Sequence, residues 1–283
     1  MINREVSWLH FNDRVLQEAM DGNNPLIERL RFLGIYSNNR DEFFRIRVAT
    51  LKRMILVDKT KDENPGYNPS KVLKEVIALV EKQEKKFNET FLEIKKQLEK
   101  NNIYFINETG LSQEQGEFVK RFFQDKVRPL LLPIMLKSMQ STDVLRDKYI
   151  YLAVVLNDSS GLIDDDYALI MVPTNELSRF LQLPSESGKK FVILLDDVIR
   201  FGLGHVFLPF GFDTFKAYTI KFTRDAELDI DNAALIAWAA MHGLVELSPK
   251  LDVMADREQR PSESLDDTID LFSDLLITGF KAR

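Results

Sequence analysis

Side chains that commonly do chemistry are few and scattered in this sequence. The 283 residues contain no cysteine, which excludes a thiolate metal site, a cysteine nucleophile and a disulfide framework. The three histidines, His10, His205 and His242, lie far apart and lack the spacing of metal ligands. The acidic run 164–166 follows a Ser-Ser-Gly turn and is typical of a solvated loop rather than of a cation site. The side chains therefore give no direct indication of a catalytic centre.

Signals for phosphate binding are also weak. Gly202-Leu203-Gly204 is the nearest approach to a phosphate-binding loop, but no Gly-Lys-Ser or Gly-Lys-Thr follows it, so the pattern predicts a turn. Thirty-eight basic and 44 acidic residues give a net charge of −6, which argues against a surface that grips a long polyanion. Phosphate handling therefore requires a local patch or residues outside this chain.

The remaining candidate is Asn39, in the polar segment Ser37-Asn38-Asn39. A carboxamide carries one acceptor and two donors in one plane, which suits the hydrogen-bonding edge of adenine. Asn39 and Glu42 have capping-box spacing, which predicts that one helix ends at this segment and another begins at Asn39. A helix N-terminus beside basic residues suits an anion. The basic residues that follow are Arg40, Arg45, Arg47, Lys52 and Arg53. Alternatively, Asn39 only caps its helix and the basic residues are surface charges; the residues alone favour this second interpretation.

Helices must position this segment. Apolar residues recur at helical spacing through the first hundred residues, which predicts a helical domain over 1–102. The first helix is expected to end near Asp21-Gly22, and the next to start at Asn24-Pro25 with Asn24 as its cap. The longest periodic stretch runs from Ser70 to about Lys100.

Short strands and helices mix after residue 102 without a regular repeat, which predicts an α+β head domain over 103–232. The expected strands are 103–106, 149–156, 167–172, 191–194 and 217–223, and the expected helices are 112–126, 175–181 and 196–202. Two further helices are expected in a tail over 233–283. The predicted fold is therefore α+β, with an N-terminal helical bundle, a head domain and a C-terminal helical pair.

The composition indicates a soluble globular protein, with 45% apolar and 29% charged residues. The longest apolar runs fall far short of the roughly 20 residues that a transmembrane helix needs. No apolar signal-peptide core follows Met1, so the expected location is the cytoplasm.

Three segments, 4–19, 24–53 and 218–231, resemble polyphosphate kinase, a family that reversibly transfers the terminal phosphate of ATP to inorganic polyphosphate. The most specific elements are Ser-Asn-Asn-x-Asp-Glu-Phe at 37–43 and Thr-Arg-Asp-Ala-Glu at 223–227. The resemblance runs from residue 2 to about 231 in the expected order. It implies an N-terminal helical domain followed by a head domain that contributes to dimerisation.

The resemblance assigns Asn39 to the binding of the adenine of ATP. It places the phosphorylated histidine, with its arginines and Mg²⁺, in domains that follow the head. None of His10, His205 and His242 matches that histidine, so we expect no catalytic residue and no Mg²⁺ ligand within this chain. As it stands, the chain resembles the nucleotide-side and head portion of a truncated kinase, inactive alone, with ATP and polyphosphate as partners and a homo-oligomer expected through the head.

The tail, 233–283, instead resembles the last two helices of tetracycline-repressor-like regulators. Its Ala-Ala-Met-His-Gly-Leu segment at 239–244 and its final amphipathic helix carry that resemblance. No helix-turn-helix is found at the N-terminus, so no DNA partner is expected. The tail is expected to be of different origin, from a fusion or a frameshift, or a helical pair gained by a truncated kinase homologue. The alternative function is a non-catalytic dimerisation or effector-binding module that uses the tail.

Overall fold

The computed structural model describes residues 3–58, 67–139, 144–185, 187–221 and 223–224. These residues divide into two compact units, the first ending at Asn102 and the second running from Ile103 to Arg224. The expected helical pair of the tail, 233–283, lies outside the described residues. Within the described ranges, no helix is both long enough and apolar enough to cross a membrane.

The N-terminal unit is helical, as the sequence predicts. Its elements are α1 (Arg4–Met20), α2 (Leu26–Phe43), a π-helical turn (Phe44–Val48), α3 (Ala49–Asp58) and α4 (Pro69–Lys100). Helix α4 matches the predicted stretch closely, because its apolar residues keep helical spacing and Asn68 caps it ahead of Pro69. The helices enclose a core that includes Leu9, Phe43, Leu51, Val76 and Val80.

One predicted helix boundary and one predicted helix cap in this unit are wrong. Helix α2 continues through Ser37-Asn38-Asn39, and the π-helical turn joins it to α3, so no helix begins at Asn39. Asn24 does not cap α2; its side chain donates to the carbonyl and the carboxylate of Glu18. Burial of one face of α2 outweighs the weak helix propensity of Ser and Asn at the predicted break.

The line of buried residues along α2 continues through the π-helical turn, but the spacing between successive buried residues changes there. On α2 the buried residues follow steps of three and four as far as Phe43. The next buried residue is Val48, five positions on, and Leu51 follows. A π-helical turn holds one more residue than an α-helical turn, so the line of buried residues stays on the same side of the helix.

The second unit contains two small sheets, which confirms the predicted α+β fold. Its strands are β1 (Ile103–Phe105), β2 (Pro133–Met135), β3 (Ile150–Asn157), β4 (Asp166–Met171), β5 (Phe180–Gln182), β6 (Lys190–Leu194) and β7 (Thr214–Lys221). One sheet has the order β1-β6-β5, with β1 parallel and β5 antiparallel to β6; the other is antiparallel, with the order β2-β4-β3-β7. Its α-helices are α5 (Gln113–Phe122), α6 (Leu195–Phe201) and α7 (Leu203–Phe207).

Three differences from the predicted elements occur in this unit. Helix α7 was not predicted and starts within the turn predicted at Gly202-Leu203-Gly204. A helix was predicted over 175–181, but the chain forms a turn there and then β5, which pairs with β6. Strand β2 was not predicted, because it has only three residues, begins with Pro133 and depends on pairing with β4. The alternation predicted around Tyr218 and Ile220 is confirmed, since both are buried in β7.

Candidate functional site

Asn39 lies within α2, four residues before the helix ends at Phe43. Its half-buried carboxamide donates from Nδ2 to Oδ1 of Asn12, on α1, over 3.0 Å. Asn12 is 1% exposed. Because Asn39 begins no helix, its Oδ1 is not used as a cap. That oxygen has no hydrogen-bond partner among the described residues, and neither has the second Nδ2 hydrogen.

Asn12 is held in turn by the backbone of α2. Its Nδ2 donates to the carbonyl oxygen of Tyr36 over 3.2 Å, and this contact is buried. The two carboxamides and the carbonyl therefore form one chain of hydrogen bonds between α1 and α2. The chain ends at Asn39, at the edge of the protein surface.

Helix α4 supports this chain from the opposite side. The Tyr36 hydroxyl donates to Oε1 of Gln83 over 3.2 Å, and Nε2 of Gln83 donates to the Leu9 carbonyl over 3.0 Å. Burial raises the pKa of Tyr36 to about 12, so its phenol stays protonated and remains a donor at neutral pH. Three helices thus fix the position of Tyr36, whose carbonyl anchors Asn12.

The sequence elements at 4–19 and 37–43 meet through two contacts. The ring of Trp8 stacks on that of Phe43 with centroids 4.7 Å apart, and one helical turn along, Asn12 contacts Asn39. On each helix the two residues are four positions apart, in reverse order, as two antiparallel neighbours require. These elements are therefore complementary faces of one helical hairpin.

Arg40 is directed into the bundle. It is 3% exposed, and its guanidinium carbon lies 5.7 Å from the centroid of Tyr36 and 5.8 Å from that of Phe87. Its Nη1 lies 3.8 Å from Oε1 of Glu84. A cation held between two rings and a carboxylate stabilises the packing of α2 on α4.

Other predicted anion-binding residues also have partners within the unit. Arg45 makes a two-bond contact with Glu42, and Arg47 lies 4.0 Å from Oε1 of Glu5. The expectation of an anion site at a helix N-terminus is wrong, because no helix starts at Asn39. The candidate site is therefore a carboxamide with free hydrogen-bonding groups, without the predicted helix-terminus contribution.

The other candidates in the sequence were the histidines, the glycines near residue 202 and the acidic side chains. His10 is exposed on α1, and His205 is exposed on α7 with its ring 6.1 Å from that of Phe123. Gly202 lies in a turn against Phe123, as predicted, but Leu203 and Gly204 belong to α7. Among the described residues, no group of three or more His, Asp or Glu side chains could hold a metal ion. His242 lies outside the described residues.

Asn12 was missed by sequence reasoning. The signal was present in the matching four-residue spacing of Trp8 and Asn12 on one helix and of Asn39 and Phe43 on the next. The five-residue connection 21–25 favours an antiparallel hairpin and would have paired them. The predicted helix break at Asn39 hid this relationship.

Comparison with known proteins identifies the family. A model described as the polyphosphate kinase N-terminal domain matches residues 1–106, and one described as the polyphosphate kinase middle domain matches residues 114–241. The second match extends beyond residue 232, where the tail was expected to begin.

Several similar proteins carry the same name. The polyphosphate kinase of Vibrio cholerae serotype O1 is 42% identical over 235 residues, which cover 81% of this chain and 32% of that protein. The polyphosphate kinase of Escherichia coli K12 is 40% identical over 235 residues, covering 81% and 33%. The crystal structure of polyphosphate kinase from Porphyromonas gingivalis superimposes with a TM-score of 0.64 at 30% identity, covering 77% of this chain and 33% of that one.

The chain spans about one third of the length of the curated relatives it matches. Two successive domain models, relatives at about 40% identity and a similar crystal structure all agree. The chain therefore belongs to the polyphosphate kinase family and carries its N-terminal and middle domains.

Proposed function

We propose that this chain is the nucleotide-side and head portion of an enzyme that transfers the terminal phosphate of ATP to inorganic polyphosphate. In this proposal Asn39 binds the adenine of ATP. The observation that carries it is the Asn39 carboxamide, which has one donor and one acceptor left after its contact with Asn12. Adenine presents a matching pair, the N6 amino donor beside an acceptor nitrogen.

Phosphoryl transfer itself is assigned to residues outside this chain. The family resemblance implies that this transfer proceeds through a phosphohistidine with Mg²⁺. None of His10, His205 and His242 matches that histidine. We expect these 283 residues by themselves to bind ATP without turning it over. The cytoplasmic location expected from the sequence is part of the same proposal.

Self-association through the head is part of the same proposal. Large apolar side chains are exposed on this unit, among them Leu162, which is 88% exposed, and Phe210, which is 60% exposed. Their loops are neighbours, because a Cβ on Gly211 would meet Ile163. Light scattering is expected to give a dimer for the chain and a monomer for Leu162→Asp/Phe210→Asp. A wild-type monomer would contradict self-association.

Isothermal titration with ATP tests the nucleotide site. Asn39→Ala removes both free groups, and a two-bond contact to adenine is worth about 1–3 kcal/mol, so ATP affinity should fall roughly fivefold to 150-fold. Asn38→Ala is the matched control, because Asn38 is the exposed neighbour on the same helix. Equal ATP affinities for the wild type and Asn39→Ala would overturn the assignment.

A further inference from the structure

We infer that Asn12 is a positioning residue that fixes the orientation of the Asn39 carboxamide and so sets the preference for adenine over guanine. The inference rests on the proposed function of Asn39. The observation behind it is the chain of hydrogen bonds from the Tyr36 carbonyl through Asn12 to Asn39.

The direction of each hydrogen bond in this chain follows from its first member. The Tyr36 carbonyl can only accept, so Asn12 must turn its Nδ2 toward it. This leaves Oδ1 of Asn12 facing Asn39, and an oxygen acceptor requires a donor opposite it. Asn39 must therefore present its Nδ2 to Asn12 and direct its Oδ1 the other way.

Burial makes this orientation costly to reverse. Turning over the Asn12 carboxamide would place its oxygen against the Tyr36 carbonyl in a site where Asn12 is 1% exposed. Turning over Asn39 alone would place two carboxamide oxygens against each other. Each reversal loses a hydrogen bond and leaves acceptors facing one another, which costs about 1–3 kcal/mol per buried group.

A fixed orientation distinguishes the two purines at position 6. Adenine carries an amino donor there, which Oδ1 of Asn39 can accept, while its neighbouring ring nitrogen accepts from the free Nδ2 hydrogen. Guanine carries a carbonyl oxygen at that position, so Oδ1 would face another acceptor. An unanchored carboxamide could rotate to suit guanine, whereas one held by Asn12 cannot.

The test compares the ratio of GTP to ATP dissociation constants in the wild type and in variants. Asn12→Leu is nearly the same size but cannot hold the carboxamide, so the ratio should fall about tenfold. Thr90→Val removes a hydrogen bond from buried Thr90 to the Lys86 carbonyl that takes no part in the chain from Tyr36 to Asn39, so it should change the ratio less than twofold.

A measurement without nucleotide covers the case in which Asn12→Leu does not fold. In wild-type protein labelled with ¹⁵N-asparagine, one side-chain amide hydrogen of Asn39 should exchange with water more slowly than those of exposed Asn38. Equal exchange rates for the two residues would overturn the anchoring.

The outcomes separate the inference from the proposed function. If the wild type does not bind ATP, both are wrong. If ATP binding depends on Asn39 but a folded Asn12→Leu protein keeps the wild-type GTP to ATP ratio, only the role of Asn12 is wrong.

Discussion

Arg29 donates from Nε to the carbonyl of Ala19 over 2.7 Å and so joins the first turn of α2 to the last turn of α1. The side chain is 1% exposed. Its Nη1 donates to Oε1 of Gln97 over 3.0 Å, and its Nη2 lies 3.3 Å from Oε2 of Glu93, both on α4. One buried guanidinium thus connects α1, α2 and α4.

Replacing Arg29 by Met should destabilise the N-terminal unit. Met fills much of the volume but leaves the Ala19 carbonyl unsatisfied, so the free energy of unfolding should fall by about 2 kcal/mol. Arg31→Met is the control, because Arg31 forms an exposed ion pair with Glu28, and it should change stability by less than about 0.5 kcal/mol. Urea unfolding followed by Trp8 fluorescence, in a Trp238→Phe background, gives both values. Equal values for the two variants would contradict the role of Arg29.

Replacing Gly202 by Ala should destabilise the head. An added Cβ would lie 2.2 Å from ring carbons of Phe123, which is fully buried. Overpacking of this kind costs about 1–3 kcal/mol. At Gly204 the nearest heavy atom to an added Cβ is Leu208 Cδ1, at 3.5 Å, so Gly204→Ala is the control. Calorimetry should show a lower melting temperature for Gly202→Ala only, with partial recovery in Gly202→Ala/Phe123→Leu.

The Tyr36 phenol predicts a loss of stability at high pH. Its pKa is raised from 10.0 to about 12, mainly by burial, so the unfolded chain releases this proton at lower pH than the folded one. The stabilisation is fully present below pH 10 and is lost as the pH rises toward 12. Urea unfolding at pH 9 and pH 11 should show a smaller decrease in Tyr36→Phe than in the wild type. An equal decrease would show that Tyr36 does not contribute.

Asp158 predicts a change at the acidic end of the pH range. Its carboxylate accepts from the Ser160 hydroxyl over 2.6 Å and from the backbone N–H groups of Ser160, Leu162 and Ile163. These bonds, the Ser160 hydroxyl first, lower its pKa below 3.8, so their stabilisation is present above pH 3.8 and is lost as the pH falls through the lowered value. A ¹³C titration should show a higher Asp158 pKa in Ser160→Ala. Ser178→Ala, which affects no carboxylate, should leave it unchanged.

The sequence predicts the long elements of the fold well and the short ones poorly. Helix α4 is found where its periodicity places it, because thirty-two residues repeat the same pattern. The segment 175–181 and strand β2 depend instead on partners distant in sequence, which local patterns do not encode. The helix break predicted at Asn39 is absent, because contacts of α2 with α1 and α4 outweigh local propensity.

The candidate site, too, could be predicted only in part from the sequence. The role of Asn39 follows from a motif of seven adjacent residues and remains a prediction. The contribution of Asn12, 27 residues earlier, depends on how two helices align, which becomes visible only when both are placed together. Arg40 shows the converse, because a basic residue beside the motif is directed inward, between Tyr36 and Phe87.

The π-helical turn at Phe44–Val48 begins five residues after Asn39 and contains one residue more than an α-helical turn. Shortening this turn by one residue would convert the step of five between Phe43 and Val48 into a step of four, which an ordinary α-helix also keeps in phase. Tyr36 and Leu51 would both still point inward. The same deletion earlier in α2 would rotate the following side chains by about 100° relative to those before it. We therefore expect a one-residue deletion to be tolerated in the turn between α2 and α3 but not within α2, where Asn39 lies.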